Sequence, residues 1–300
     1  MSAANDNERR LCISFSGGET SALMAHRIVT SNSMRAEYDD VRCVFANTGQ
    51  ENEQTLEFVE RCDKSFGLNV VWVEADVSPI HGDGTRHTVV DFVGADRTGA
   101  VFESVIDKYG IPNQDYPHCT RELKGNPIRS YLRNIGWQIG TYDTAIGIRT
   151  DEIDRISATA KEQRLLYPLV SRFPHTKPMV NAFWEKQPFR LELKGYQGNC
   201  KWCWKKSLRK HLTIITETPE AYDFPERMER DKAECGAGDA RRVFFRGHRG
   251  VADLRRLAAT TKFTPASDDA RQYQPGLFDF DMDAASGCEE TCEVEFGEAA

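Results

Sequence analysis

Residues 13–24, "ISFSGGETSALM", join two different periodicities. Upstream, the apolar run at 11–15 is short and bounded, the pattern of a buried strand. Downstream, Ala22, Ala25, Ile28 and Val29 recur at helical spacing, which predicts a helix starting near Glu19 or Thr20. Between them two glycines stand among hydroxyl residues. Gly17 and Gly18 let backbone N–H groups converge, the helix N-terminus adds its dipole, and Ser16, Thr20 and Ser21 supply hydroxyl donors. Such a turn suits a phosphate. It is not the G-x-x-x-x-G-K-[ST] loop, because no lysine follows the second glycine. An ordinary strand-to-helix turn with a Ser or Thr cap has the same ingredients.

Working outward, "VRCVFANTG" predicts a second strand at 41–46, followed by a helix on which Leu56, Val59, Cys62 and Phe66 share a face. "NVVWVEA" predicts a third strand. Strand and helix therefore alternate over the first 75 residues, as in a parallel sheet covered by helices. Residues 78–98, rich in Gly, Asp and Thr, read as an excursion over the sheet edge. A helix from near Arg121 to "NIG" leads into a fourth strand at 143–148. In open sheets of this class ligands sit beyond the carboxyl ends of the strands, where strand order reverses. "SGGETS", "ANTGQE" and "GIRTDEIDR" all fall at such ends. After Tyr167 the chain turns Pro-rich and then carries "GNCKWCWKKSLRKHLTII", so a boundary is expected near 157–161. The expected organisation is a nucleotide-type domain at 1–160, a helical subdomain at 161–265 and an acidic tail at 266–300.

The net charge of −7 is unevenly spread. Residues 266–300 hold ten acids against the single base Arg271, a net of −9, which leaves +2 on residues 1–265. A solvated tail is the usual meaning of such a run, but two cysteines in it argue that part of it docks. No apolar segment is long enough to span a membrane or to serve as an export signal, so a cytoplasmic protein without a disulfide framework is expected. Cys12, Cys43 and Cys62 fall on predicted core faces and read as buried small hydrophobes.

"SFSGGETSALM", "FANTGQENEQTLEFV", "CTRELKGNPI", "AIGIRTDEIDR" and "YPLV", in that order over residues 10–215, resemble the phosphoadenosine phosphosulfate reductase family of the PP-loop, or adenine nucleotide alpha hydrolase-like, superfamily. The resemblance implies an α/β, Rossmann-like three-layer sandwich with a five-stranded parallel sheet of PP-loop type, plus a small cysteine-liganded subdomain. It implies an adenine nucleotide, ATP or a sulfonucleotide (PAPS or APS), bound across the sheet with Mg2+. Ser14, Ser16, Gly17, Gly18, Thr20 and Ser21 match the phosphate loop, and Asn47, Thr48 and Gly49 match the segment near adenine and ribose. Gly147 and Asp151 match the loop after the fourth strand. Lys124 and Arg149 are the cations expected against phosphates, Arg149 offering a planar fork. Glu51 is a candidate Mg2+ ligand and, equally, a helix-start carboxylate; Asp151 and Glu152 could simply cap the helix that follows.

Cys200 and Cys203 form a Cys-x-x-Cys half-site of the kind that holds zinc or iron. One completion uses Cys288 and Cys292 of the tail. Another uses Cys119, because the family's cluster-bearing reductases have a Cys-Cys pair about eighty residues before Cys-x-x-Cys; here His118 replaces the first of that pair. The tail completion is preferred, since an acidic tail has little other reason to keep two closely spaced cysteines. A zinc site, an iron–sulfur cluster and a group of reduced thiols all remain open. Cys119 is then either a ligand or a sulfur-handling thiol.

The expectation from these residues is an ATP-dependent enzyme that cleaves the α–β bond and adenylates an acceptor in sulfur transfer. A thiol-dependent sulfonucleotide reductase is the alternative enzyme. It would use Cys235, although "AECGAGDARR" matches only half of that family's Glu-Cys-Gly-x-His pattern. Basic and aromatic residues interleave in "KWCWKKSLRKH" and "RRVFFRGHRGVADLRR", so a nucleic acid or a sulfur carrier is an expected acceptor, with self-association open. Glu19, an acid inside the loop, keeps a third reading alive, a nucleotide- or nucleic-acid-binding module without catalysis.

Overall fold

The computed structural model describes residues 8–80, 82–236, 241–268 and 280–283. In chain order its elements are β1 (Arg10–Ser14), α1 (Glu19–Thr30), α2 (Asn32–Glu37), β2 (Asp40–Asn47), α3 (Glu53–Phe66), β3 (Val71–Val77), β4 (Thr85–Val90), α4 (Ala100–Tyr109), α5 (Asn126–Asn134), β5 (Asp143–Ala145), β6 (Leu165–Leu166), α6 (Pro168–Ser171), α7 (Lys177–Trp184), α8 (Leu208–Glu217), α9 (Asp223–Asp231), α10 (Val251–Thr260) and α11 (Phe280–Asp283). The strands form one sheet ordered β4-β3-β2-β1-β5-β6. All neighbours are parallel except β3 and β4. The chain is therefore α/β, a mostly parallel sheet between helices.

Side chains on the central strands alternate between two cores, as the two-residue period demands. Leu11, Ile13, Cys43, Phe45 and Trp72 join α1, α3 and α7 on one face. Cys12, Val44, Ala46 and Val73 join Ile128 and Leu132 of α5 on the other. Burial raises the Cys12 thiol to about 12 and pushes Cys43 and Cys62 up as well, so all three stay neutral, as expected of buried small hydrophobes. A third core gathers α4 with α8, α9 and α10 around Trp202, Tyr222, Met228 and Phe244.

The sheet departs from the expected five parallel strands by an antiparallel edge. Residues 85–90, inside the stretch read as an excursion, pair with β3 as β4. An edge strand is half-covered and its alternation is diluted: Val89 is exposed, while His87 turns inward to Ser130 Oγ (2.8 Å) and the Tyr131 ring of α5. The chain also stays with the sheet past 160, because Leu165 and Leu166 form β6 and Leu169, Val180, Trp184 and Phe189 enter the first core. The predicted helix near Arg121 begins as a π-helical turn, Arg121–Gly125, before α5. Among the described residues no helix is long and apolar enough to cross a membrane.

Strand order reverses at β1, whose neighbours β2 and β5 carry the chain to opposite edges. The loops leaving β1 and β5 meet at that reversal.

Candidate functional site

The β1–α1 turn is built of buried polar groups. Ser14, Ser16, Thr20 and Ser21 are all buried. Ser16 Oγ donates to Ser21 Oγ (2.9 Å), which donates to the Gly18 carbonyl (3.0 Å) and so pins the turn to the first turn of α1. Gly17 has φ +83°, and a methyl there would lie 2.8 Å from Thr55 Cγ2 and 3.1 Å from the Phe45 ring. Only glycine fits both the left-handed backbone and the close approach to α3.

The loop after β5 closes on this turn. A methyl on Gly147 would meet Ser21 Cα at 2.9 Å. Arg149, buried, donates from Nη1 to Thr20 Oγ1 (3.2 Å) and from Nε to Asp151 Oδ1 (3.0 Å), with Glu152 3.4 Å from Nη1. Two carboxylates thus hold the fork at the N-terminus of α1. Burial works against the Asp151 charge, but Arg149 and the Lys177 N–H hold its carboxyl below the usual range. Asp151 and Glu152 therefore position Arg149 as well as ending the loop.

Glu19 is tied to the chain around α7. Its carboxylate receives Arg190 Nε (3.0 Å) and Nη2 (3.2 Å), and its carbonyl receives Trp184 Nε1 (3.0 Å). The acid that seemed out of place in the sequence is a clamp between α1 and the chain after α7.

The segment after β2 makes a separate group. Asn47 Nδ2 donates to Glu74 Oε1 (2.6 Å) and to the Asp96 carbonyl (2.9 Å), and its Oδ1 accepts from Gly49 N (3.2 Å). Burial, with Asp96 and Glu51 nearby, outweighs these hydrogen bonds and raises the Glu74 carboxyl. Glu51 accepts from Thr48 N (2.9 Å) and from Thr48 Oγ1, and Cys200 Sγ lies 3.8 Å from its Oε1. Its oxygens hold the turn after β2 together.

One residue joins these groups. Asn199, immediately before Cys200, donates from Nδ2 to the Ser16 carbonyl (2.6 Å), and its own carbonyl accepts from Asn52 N (2.9 Å). Lys201 N donates to the Gln50 carbonyl (3.0 Å) and Trp202 Nε1 to Gln50 Oε1 (2.7 Å). The Cys-x-x-Cys segment is thereby strapped across both nucleotide-type loops. Sequence reading passed over Asn199, Gln50, Arg190 and Trp184; the one available signal was the Asn next to Cys200.

Cys119, Cys200 and Cys203 share a cavity of about 30 Å³ with Thr48, Lys124 and Trp204. It is far too small for a nucleotide. Lys124, expected against phosphates, lies with the thiols, carried there by the π-helical turn. Cys119 thus lies with Cys200 and Cys203, while Cys288 and Cys292, the preferred completion, lie outside the described residues. Among the described residues no three His, Cys, Asp or Glu side chains are placed to hold a metal ion. Beside Cys119, burial lowers His118 to about 4, and its Nε2–H donates to the Gly110 carbonyl (3.1 Å). Cys235 packs its carbonyl against Gly110 and lines neither cavity described here.

A second, larger cavity of about 720 Å³ opens at the N-terminus of α1, bounded by Gly18, Glu19 and Thr20 on one side and by α7, α8 and residues 190–199 on the others.

No protein-family model matches the chain. It is 27% identical over 295 residues to the uncharacterized nin region protein ORF290 of Escherichia phage lambda, covering 95% of each chain. Two uncharacterized proteins of Methanocaldococcus jannaschii also resemble it. MJ0066 is 23% identical over 245 residues, 76% of this chain and 43% of that protein. MJ0973 is 28% identical over 123 residues, 40% of this chain and 22% of that protein.

Proposed function

We propose that the chain is a PP-loop enzyme of the phosphoadenosine phosphosulfate reductase type. It binds ATP or a related adenine nucleotide at residues 14–21 and cleaves the α–β phosphate bond. The observation that carries this reading is the closure of the β5 loop on the β1–α1 turn at the strand-order reversal, with Arg149 held by two carboxylates over Thr20. Backbone N–H groups at a helix N-terminus together with a guanidinium make a preorganised site for phosphoryl charge.

An oxygen of the acceptor attacks the α-phosphorus, and the bond from phosphorus to the α–β bridging oxygen breaks. The electron pair leaves on pyrophosphate and the acceptor's proton passes to water. Arg149 and the N–H groups of the turn stabilise charge as it builds on the α-phosphate oxygens. Magnesium bound with the nucleotide would offset charge on the leaving pyrophosphate. Cys119, Cys200 and Cys203 are the thiols nearest the loops and are read as sulfur-handling groups. The clamp formed by Glu19 with Arg190 gives the acid in the loop a structural role, which is compatible with catalysis.

The test is pyrophosphate release from ATP by the Ser16→Ala, Gly18→Ala double variant. Loss of release with retained folding supports the site. Release at the wild-type rate places cleavage elsewhere, and sulfite release from PAPS that depends on Cys235 favours the reductase reading.

A further inference from the structure

The 720 Å³ cavity is of ligand size, and five cations line it with the carboxylates of Glu19, Asp268 and Asp283. Lys177 comes from α7, Arg190 and Lys194 from the chain that follows it, and Arg209 and Lys210 from the first turn of α8. Two basic residues in the first turn of a helix run against the helix dipole. A local rule broken in this way marks a place where an anion belongs. Arg209 is also 3% exposed. A guanidinium that deep needs a partner of opposite charge.

That partner is the acidic C-terminal segment of the same chain. Asp283 takes Arg209 Nε (2.8 Å) and Nη2 (3.1 Å) in a two-point pair, and Asp268 Oδ1 accepts from Gly195 N (2.8 Å). Both aspartates line the cavity. Just before Asp268 the chain is laid along α8: Arg209 Nη1 donates to the Thr264 carbonyl (2.7 Å) and the Ala266 N–H donates to Thr213 Oγ1 (2.8 Å). A chain whose last 35 residues carry −9 thus sets two carboxylates in a recess lined by five cations beside the β1–α1 turn.

We propose that this recess is a binding site for the phosphodiester backbone of a single-stranded nucleic acid, and that Asp268 and Asp283 hold it as built-in competitors until the strand displaces them. The Arg209 fork and lysines on three walls suit a run of phosphates better than a lone carboxylate, while the Arg190 fork stays with Glu19. The recess opens directly onto Gly18 and Thr20, so a strand lying in it comes within reach of the nucleotide site. Calling the strand the acceptor rests on the proposed function; the binding site does not.

The test is fluorescence anisotropy of a labelled single-stranded oligonucleotide with the full-length protein, without ATP, over a range of salt concentrations. Asp268→Asn with Asp283→Asn should bind about tenfold tighter than wild type, since charged competitors for the recess are removed. Lys177→Glu with Lys210→Glu, both at partly exposed positions, should weaken binding and reduce the salt slope by about one per cation removed. Circular dichroism checks that each variant is folded. Unchanged affinity in the aspartate variant, or an unchanged salt slope in the lysine variant, overturns the proposal. Competition by polyglutamate as effective as that by unlabelled oligonucleotide overturns it in favour of an acidic protein. Ser16→Ala should bind the strand as wild type does, so failure of ATP cleavage and failure of strand binding are read separately.

Discussion

Replacing Gly147 with alanine tests the closure of the β5 loop on the β1–α1 turn. The new methyl would lie 2.9 Å from Ser21 Cα, 3.1 Å from Ser21 Cβ and 3.2 Å from Ser21 N. Carbon atoms prefer about 3.5–4.0 Å, so the overlap approaches an ångström. The obstructing atoms are mainly backbone in the first turn of a buried helix, so no rotamer change relieves it. Inserting a methylene into packing of this kind costs about 1–3 kcal/mol. At about 2–4 °C per kcal/mol for a chain of this class, the melting temperature should fall by several degrees. Gly84→Ala is the matched control, because a methyl there meets nothing within 4 Å. Thermal melting of both variants, with and without ATP, is the assay. Gly147→Ala should melt lower and lose the stabilisation that ATP gives wild type. If it melts with Gly84→Ala and keeps the ATP shift, the two loops are not in contact and the site is misread.

Two further outcomes are expected. Burial holds His118 near 4 against an ordinary value near 6.5, so the neutral ring contributes stability that is complete above about pH 6.5 and is lost as pH falls toward 4. Relative to His118→Gln, which stays neutral and can still donate to Gly110, wild type should lose up to about 3 kcal/mol between those limits; parallel denaturant midpoints for the two proteins would refute the assignment. Arg190 is about half exposed, so Arg190→Ala should cost only about 1 kcal/mol, most of it recovered by adding Glu19→Gln. A double-mutant cycle with no coupling would mean that the pair in the phosphate loop is incidental.

Much of the sheet was legible because its central strands are short, wholly buried and alternate between two apolar faces. Leu11 to Phe15 and Val44 to Ala46 carry that signal in sequence. β4 was not legible, because an edge strand such as "TRHTVV" exposes half its residues and has Gly82 and Gly84 beside it. That the β1–α1 turn and Arg149 share one end of the sheet could be read, because both follow parallel strands that flank the reversal of strand order. The partners of Glu19 could not, since Arg190 lies 171 residues away and nothing in either neighbourhood announces the pair. The same holds for Lys124, whose direction depends on the π-helical turn that carries it: a different helical pitch at 121–125 would present another face.

Asn199 shows why the thiols and the loops should be treated as one device. Its side chain reaches the Ser16 carbonyl while the adjoining Cys200 lies against Glu51, so a displacement of the Cys-x-x-Cys segment is transmitted to the phosphate-type turn through a single short bond. Asn199 is 3% exposed and its Oδ1 is buried without a partner, so the amide has no solvent to fall back on if the segment moves. An unpaired buried carbonyl oxygen is costly, and proteins keep such groups where a ligand or a strained contact uses them. Asn199 therefore joins two segments that lie 183 residues apart in sequence, and a shift of Cys200 is passed to the β1–α1 turn through the residue beside it.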